Sequence, residues 1–244
     1  RTLADLYSFI IGGAADYFCR AESVTALQEA LAFASAHSLP VFVLGGGTNV
    51  LMRDGGFRGL GVKMEIQGIA WGREVVVGAG ENWDVFVAEA VARGLWGTEN
   101  LSGIPGTVGA VPVQNIGAYG SEVKEVIRWV EVLDRKTNKL KKLTNAQCAF
   151  AYRDSIFKKS EGKDYIITHV AFRLSEGGTP NLSYKDLVAY FAGRQTPTLA
   201  EVRCAVLHIR ARKFPALATH GTAGSFFKNP IIPKEQFDTL KKKY

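Results

Sequence analysis

The chain has 244 residues, of which 47% are apolar and 22% are charged, and this balance is typical of an ordinary globular protein. No run of about 18 apolar residues occurs and no signal-like apolar stretch follows Arg1, so neither a membrane span nor a membrane partner is expected. The net charge of +7 comes without a basic stripe interleaved with aromatic residues, which favours a small anionic ligand over nucleic acid.

The first half of the chain predicts two strand and helix pairs. Apolar residues at helical spacing predict a helix over 24–37, and the apolar run 41–44 predicts a short buried strand. A second βα-like unit follows, with a strand over 74–80 and a helix over 83–94 that Gly94 ends. The region 97–120 is expected to be a long loop without secondary structure, and such loops are usually functional.

The second half predicts further strands and helices. They are a hairpin of 127–134 and 139–144 around Thr137-Asn138, a strand over 165–175, a capped helix over 199–213 with Thr198 and Glu201 as its capping box, and a helix-like segment at 233–243. Because strands and helices interleave with a hairpin among them, we expect an α+β protein with mixed sheets rather than a doubly wound parallel sheet.

Cysteine and histidine residues are scattered rather than clustered. The cysteines Cys19, Cys148 and Cys204 are odd in number and form no CxxC pair, and the four histidines are equally dispersed. We therefore expect no bound metal, and a reducing cytoplasm is the simplest setting.

Two glycine-rich loops are the first candidates for ligand binding. LGGGTNVL (44–51) follows a strand, and its consecutive glycines let backbone N–H groups approach a phosphate. It matches neither the Walker A motif nor the dinucleotide fingerprint, and a sharp turn at a strand end is the alternative. ENLSGIPGTVGAVPVQNIGAYGSEV (99–123) suits a flat heteroaromatic ring joined to a diphosphate, with a glycine-rich surface excursion as the alternative.

Later motifs complete a resemblance to a known family. GAGENW (78–83), FAYRDSIFK (150–158) and GSFFKNP (224–230) stand with the two glycine loops in the order and spacing of UDP-N-acetylenolpyruvoylglucosamine reductase. The resemblance covers nearly the whole chain. It implies a flavin enzyme that uses NADPH to convert UDP-N-acetylenolpyruvoylglucosamine to UDP-N-acetylmuramate, in peptidoglycan precursor synthesis.

The resemblance also implies a domain organisation. Two small α+β subdomains, 1–65 and 66–205, are expected to hold FAD in the fold of vanillyl-alcohol oxidase and p-cresol methylhydroxylase. Residues 206–244 are expected to begin a substrate-binding domain that is incomplete here, because the family's C-terminal catalytic glutamate has no counterpart before Tyr244. The oligomeric state cannot be read from the sequence, and a monomer is plausible.

The cofactor residues implied by the resemblance lie in the two glycine loops. The first loop contains no histidine, so FAD is expected to be non-covalent. The implied residues are Gly45, Gly46, Gly47, Thr48, Asn49, Val50 and Leu51, then Ile104, Pro105, Gly106, Thr107, Gly109, Ala110, Gln114, Asn115, Gly117, Ala118, Tyr119 and Gly120.

The catalytic residues implied by the resemblance are Arg153 and Ser225. Reduction of an enol ether beside a carboxylate needs a group that stabilises the developing negative charge, and the guanidinium of Arg153 can supply it. The reaction also needs a proton donor for the α carbon, and Ser225 matches the family's proton donor. The alternative to a catalytic role is that Arg153 pairs with Asp154 on the protein surface. Substrate-binding candidates are Tyr152, Tyr184, Lys213 and Asn229, with Lys228 and Arg210 beside them.

Two other functions stay open from the sequence. An oxidase of the same fold would act on an alcohol or a sugar, although the GSFFKNP and YRDSIFK matches speak against it. A non-catalytic module that binds flavin or nucleotide is the alternative from a different class.

Overall fold

The computed structural model describes residues 3–216, 219–222, 224 and 227–244. The α-helices in these residues are α1 (Val24–Ala36), α2 (Trp83–Ala92), α3 (Lys185–Tyr190), α4 (Leu199–Lys213) and α5 (Lys234–Lys243). The strands are β1 (Ala15–Ala21), β2 (Val41–Leu44), β3 (Phe57–Met64), β4 (Ile69–Ala70), β5 (Val75–Gly78), β6 (Leu95–Trp96), β7 (Gly117–Ala118), β8 (Ser121–Glu122), β9 (Ile127–Asp134), β10 (Lys139–Thr144), β11 (Tyr165–Phe172) and β12 (Ser175–Glu176).

The first sheet is parallel and has the strand order β1-β3-β2. The sequence predicted β2 but neither β1 nor β3. The central strand β3 reads FRGLGVKM, and its glycines and basic residues hide it from a search for apolar alternation. Gly59 is needed there, because a Cβ atom would lie 2.3 Å from the carbonyl oxygen of Pro40. Parallel neighbours need a crossover, and the one from β2 to β3 is 45–56, which contains the first glycine loop.

The second sheet is antiparallel and has the order β10-β9-β11-β5-β4. The predicted hairpin is confirmed, with Asn138 in the left-handed region at φ 54°. The expectation of mixed sheets is wrong in detail, since all strand pairs of the first large sheet are parallel and all those of the second are antiparallel. The strand and helix at 75–92 also do not form a parallel βα unit, because β5 pairs antiparallel with β11.

The predicted helices are present, with small differences at their ends. The observed bounds 24–36 and 83–92 are shorter than predicted at the C-terminus, whereas 199–213 agrees, and its Thr198–Glu201 capping box is formed. The region 97–120 is not free of secondary structure, because it contains 3-10 turns at Glu99–Leu101 and Val108–Ala110 and the short strand β7. Strand β11 ends at Phe172, three residues before its predicted end.

One hydrophobic cluster joins the two sheets. Leu27 of α1 and Val62 of β3 belong to the same cluster as Phe86 of α2 and Val130 of β9. A smaller cluster packs α4 on α3 and Tyr119. Helix α5 contains no buried residue. The two large sheets therefore share one core.

Membrane-spanning helices, metal sites and cysteine residues were considered in the sequence, and the structure describes each of them as follows. Within the described part of the chain, no helix is long and apolar enough to cross a membrane. The same residues contain no group of three or more His, Cys, Asp and Glu side chains placed to hold a metal ion. The three cysteines are free, and burial raises the pKa of the Cys148 thiol to about 12, so this thiol is unreactive near neutral pH.

Candidate active site

A cleft of about 480 Å³ lies between the two sheets. Its walls are β2, the two glycine loops and the first residues of β11. Ten residues predicted to bind the cofactor line it: Gly45, Gly46, Gly47, Thr48, Asn49, Val50, Thr107, Gly109, Ala110 and Gln114. The two loops that the sequence singled out thus face one cavity.

The two glycine loops touch backbone to backbone. A Cβ atom on Gly46 would lie 2.7 Å from the Cα atom of Gly106, so a larger residue there forces one loop to move. The Thr48 hydroxyl donates a hydrogen bond to the Pro105 carbonyl at 3.3 Å. Asn49 and Gln114 lie side by side, with their amide nitrogen and oxygen 3.5 Å apart. The cleft wall is therefore one continuous surface made by both loops.

Lys63 supports the first loop from within the sheet. Its ammonium donates a hydrogen bond to the carbonyl oxygen of Gly45, and the side chain is half-buried in β3. Burial lowers the pKa of Lys63, and the nearby Glu65 carboxylate offsets part of that effect. Gly47 is in the left-handed region at φ +67°, and its carbonyl accepts a hydrogen bond from the Ser8 N–H at 3.1 Å. Sequence reasoning missed Lys63, because a lysine in an unrecognised strand carries no motif.

The residues that line the cleft fit a flavin nucleotide. Thr107 Oγ1 is buried and has no hydrogen-bond partner among the described residues, so this hydroxyl can form a hydrogen bond with a ligand. A Cβ atom on Gly45 would lie 2.7 Å from that oxygen, so the loop can come close only because it has glycine there. Backbone N–H groups of such loops are suited to phosphate, and Val41, Val43, Ala79 and Ala110 supply apolar surface for a ring system.

The second glycine loop is joined to the segment around Arg153 by Asn115. This residue is fully buried and has φ 44°, in the left-handed region. Its amide donates to the Ala151 carbonyl at 3.0 Å and accepts from the Lys124 N–H at 3.1 Å. The Ser155 hydroxyl adds a bond of 2.6 Å to the Val113 carbonyl. The YRDS turn is therefore fixed to the glycine loop.

The guanidinium of Arg153 bonds to the second glycine loop and not to the neighbouring carboxylate of Asp154. Its guanidinium donates to the carbonyl oxygens of Gly117 at 2.5 Å and Asn115 at 3.5 Å. The Asp154 carboxylate instead lies 3.9 Å from Lys159. Arg153 itself has φ 52°, an unfavourable backbone state that tends to occur at functional turns. The alternative, a surface pair of Arg153 with Asp154, is not found among the described contacts.

Two predicted substrate residues, Tyr184 and Lys213, lie at the C-terminal end of α4 next to Tyr119, which was predicted to bind the cofactor. Tyr184 and Tyr119 contact edge to face, with ring centroids 5.4 Å apart. The Lys213 ammonium, at the end of α4, donates a hydrogen bond to Asp186, and this bond raises the pKa of Lys213. Arg210 lies one turn earlier, where burial lowers its pKa while Tyr119 and Asp84 offset part of the shift. Two cations and two phenols therefore cluster at this end of the helix.

The predicted proton donor, Ser225, lies outside the described residues. The described residues around it lie near two parts of the site. A Cβ atom on Gly224 would lie 3.9 Å from the Thr48 carbonyl oxygen, and the Lys228 ammonium lies 5.3 Å from the ring centroid of Tyr152. The guanidinium of Arg153 lies 5.4 Å from the same ring. Asn229 is exposed.

Not every predicted cofactor residue lines the cleft. Those that do not are Leu51, Ile104, Pro105, Gly106, Asn115, Gly117, Ala118, Tyr119 and Gly120, and their assignment stays a prediction. In turn, the structure adds lining residues that were not predicted to bind the cofactor. Among them, Arg135, Lys163 and Tyr165 belong to no sequence motif, whereas Phe157 and Lys158 end the FAYRDSIFK motif. Only the pairing of β9 with β11 brings Arg135 to the cleft, and that pairing is not readable from a local pattern.

Comparison with known proteins identifies the family. The FAD binding domain family matches residues 15–144. A UDP-N-acetylenolpyruvoylglucosamine reductase of Cupriavidus pinatubonensis is 47% identical over 231 residues, which cover 93% of this chain and 68% of that protein. One from Pseudomonas syringae pv. tomato is 40% identical over 251 residues, covering 100% of this chain and 74% of that protein.

Solved structures agree with the sequence relatives. The UDP-N-acetylenolpyruvylglucosamine reductase of Thermus caldophilus superposes with a TM-score of 0.71 at 26% identity, covering 99% of this chain and 79% of that one. A 6-hydroxy-D-nicotine oxidase of Arthrobacter nicotinovorans shares the fold alone, with a TM-score of 0.53 at 15% identity over 71% of this chain and 39% of that one. The predicted α+β, FAD-binding fold is confirmed. The chain belongs to the UDP-N-acetylenolpyruvoylglucosamine reductase family and contains its FAD binding domain.

Proposed function

We propose that this protein uses NADPH and bound FAD to reduce UDP-N-acetylenolpyruvoylglucosamine to UDP-N-acetylmuramate, a cytoplasmic step of peptidoglycan precursor synthesis. The observation that carries the proposal is the union of both glycine loops in one cleft, with Arg153 fixed on the second loop. The reductases to which the chain is 40–47% identical support the choice of substrate.

The proposed domain division places the cofactor between 1–65 and 66–205 and the substrate beside 206–244. The first large sheet spans 15–64 and the second spans 69–172, which is consistent with a boundary near residue 65. The cleft lies between these sheets. The described part of 206–244 supplies Lys213 and Lys228, both cationic, where an anionic substrate needs partners.

The cofactor would be held without a covalent bond. FAD, when bound, supplies hydride transfer from the reduced nicotinamide to the enolpyruvyl double bond. The glycine loops contribute backbone N–H groups and close approach, and Thr107 contributes a buried hydroxyl that has no partner among the described residues. Lys63 holds the first loop in shape through the carbonyl of Gly45.

Arg153 is proposed to stabilise the negative charge that develops on the substrate carboxylate. The two carbonyls of Asn115 and Gly117 fix the plane of the guanidinium, and a guanidinium has further N–H donors beyond those two bonds. A fixed cation costs no reorganisation when the charge appears, which is the basis of electrostatic catalysis. Tyr152 lies beside these charges, with Arg153 5.4 Å and Lys228 5.3 Å from its ring centroid, and is proposed to contact the substrate.

Ser225 is proposed to deliver the proton to the α carbon. Its support is the GSFFKNP motif and the position of two flanking residues, since Gly224 lies near the first glycine loop and Lys228 near Tyr152. The change Ser225→Ala should leave flavin reduction by NADPH nearly intact and abolish reduction of the enolpyruvyl substrate. Stopped-flow measurement of the two half-reactions checks this role, and equal losses in both would contradict it.

Tyr184 and Lys213 are proposed to bind the diphosphate of the UDP-sugar, with Asn229 as a further contact. The ammonium of Lys213 and the phenols of Tyr184 and Tyr119 meet at one end of α4. A cation and hydroxyl donors suit phosphate oxygens. The hydrogen bond to Asp186 keeps Lys213 in place before substrate arrives.

The experiment that tests the proposal begins with the cofactor. Purified protein should be yellow and should release FAD on acid denaturation, and it should consume NADPH in proportion to the enolpyruvyl substrate reduced. Protein without flavin that cannot be reconstituted would contradict the assignment. Rapid re-oxidation of the reduced flavin by oxygen, without enolpyruvyl turnover, would identify an oxidase. Bound FAD with no turnover of either kind would identify a flavin-binding module.

A further inference from the structure

Two basic side chains line the part of the cleft where β9 ends and β11 begins, and this part is called its mouth below. Arg135 and Lys163 both line it, although neither belongs to a glycine loop. The pairing of β9 with β11 brings them together, because Asp134 is opposite Tyr165 and the Arg135 N–H donates to the Asp164 carbonyl at 2.9 Å. The two cations are thus held at one end of the neighbouring strands β9 and β11.

The acidic residues beside this mouth are already engaged by other lysines. Asp134 accepts a hydrogen bond from Lys141 at 2.5 Å, and this bond lowers its pKa. The Asp164 carboxylate lies 3.0 Å from Lys136. Across the described ranges, no carboxylate lies within ion-pair distance of Arg135 or Lys163. The mouth therefore presents positive charge that the protein itself does not neutralise.

The same mouth offers an aromatic surface. Tyr165 is half-buried, lines the cleft and follows Lys163 by two positions. The Lys141 ammonium lies 5.5 Å from its ring centroid, which helps to hold the ring. Cations next to an aromatic face suit a ligand that joins a phosphate to a flat base, because the base stacks while the phosphate pairs.

We infer that Arg135 and Lys163 bind the adenosine diphosphate half of FAD. The inference rests on the proposed cofactor and goes beyond it by assigning an end of the cleft. The flavin ring must reach the substrate, and the groups assigned to the substrate, Arg153, Tyr152 and Lys228, do not line the mouth. The half of FAD that contains the negatively charged diphosphate is then at the mouth, where Arg135 and Lys163 can bind it. Lys158 also lines the cleft, but its ammonium is already bonded to the Arg153 carbonyl at 3.0 Å.

The test compares three ligands of the apoprotein after removal of FAD. Riboflavin contains only the ring half, ADP only the other half, and FAD contains both. The double variant Arg135→Ala/Lys163→Ala should bind FAD and ADP about tenfold or more weakly and riboflavin within about twofold of the unchanged protein. Fluorescence quenching measures the flavins and calorimetry measures ADP. The loss should shrink at high ionic strength, because one of the two cations is exposed.

A matched control and a second variant keep the result decisive. Lys139→Ala removes an exposed cation of the neighbouring strand β10 that does not line the cleft, and it should change none of the three affinities. Arg135→Lys keeps the charge and should bind FAD with intermediate affinity, and its melting curve reports whether the fold is intact. Unchanged FAD and ADP affinities, or an equal loss for riboflavin, would overturn the inference. An unchanged apoprotein that binds no flavin would instead contradict the proposed function.

Discussion

The two glycine loops form one wall of the cleft but are built differently. Six buried polar residues lie between 98 and 115, whereas none lies in 44–51. The second loop is held by side-chain bonds such as those of Asn100 to the carbonyls of Tyr119 and Asn181, both at 2.8 Å. The first loop is held by close backbone contact, by the bond of Thr48 to Pro105 and by Lys63 beneath it.

This difference predicts that the two loops depend on a bound ligand to different degrees. A loop with internal polar bonds keeps its conformation without a ligand, because each broken bond would leave a buried group unsatisfied. A loop of glycines has more conformational freedom and depends on its neighbours and its ligand. We therefore expect changes in the second loop to alter stability and catalysis, and changes in the first loop to alter chiefly cofactor affinity.

The largest expected effect concerns Arg153, which the second loop holds. Arg153→Lys keeps a positive charge but loses the planar group that spans the carbonyls of Asn115 and Gly117. Reduction of the enolpyruvyl substrate should slow by about 10²–10³-fold, as for loss of one charge-stabilising donor. Flavin reduction by NADPH should stay nearly unchanged in the same stopped-flow experiment. A uniform loss in both half-reactions would place Arg153 in the support of the fold instead.

The next effect is on stability. Asn115→Ala should lower the free energy of unfolding by about 3 kcal/mol, because it leaves the Ala151 carbonyl and the Lys124 N–H unpaired and puts alanine in a left-handed conformation. Urea denaturation measures this. Asn49→Ala, at an exposed position of the first loop, should change stability by less than about 0.5 kcal/mol. Equal losses for the two variants would remove the contrast between the loops.

A smaller effect is expected when the first loop is crowded. Gly46→Ala places a methyl group 2.7 Å from the Gly106 backbone and should weaken FAD binding by about 2 kcal/mol, roughly thirtyfold. Gly55→Ala is the matched control in the same crossover, because its methyl group would meet no atom within 4 Å. Titration of the apoproteins with FAD compares the two. An unchanged affinity for Gly46→Ala would mean that the loops separate easily.

The smallest effect concerns the support of the first loop. Lys63→Met removes the bond to the Gly45 carbonyl while keeping a side chain of similar length, and FAD affinity should fall by about 1 kcal/mol, or fivefold. Arg58→Met, which removes an exposed ion pair from the same strand, should leave the affinity unchanged. If both variants bind FAD normally, the first loop needs no support from β3.

The sequence predicted the features that depend on neighbouring residues and missed those that depend on contacts between distant parts of the chain. Helix α4 and the β9–β10 hairpin were predictable because a capping box and an Asn turn are local signals. Strand β3 was not, because its position at the sheet centre depends on pairing with two distant strands. The cofactor residues were predicted as whole loops, but only the structure shows that Gly46 faces the cleft while Asn115 faces the protein interior.

One measurement tests the central claim, that both loops build a flavin site serving an enolpyruvyl reduction, most directly. The visible spectrum of the FAD-loaded protein is followed anaerobically while NADPH and then UDP-N-acetylenolpyruvoylglucosamine are added. We expect NADPH to bleach the flavin absorbance and the enolpyruvyl substrate to restore it, with one equivalent of UDP-N-acetylmuramate formed per flavin. A flavin that NADPH bleaches but that stays reduced when the substrate is added would contradict the account.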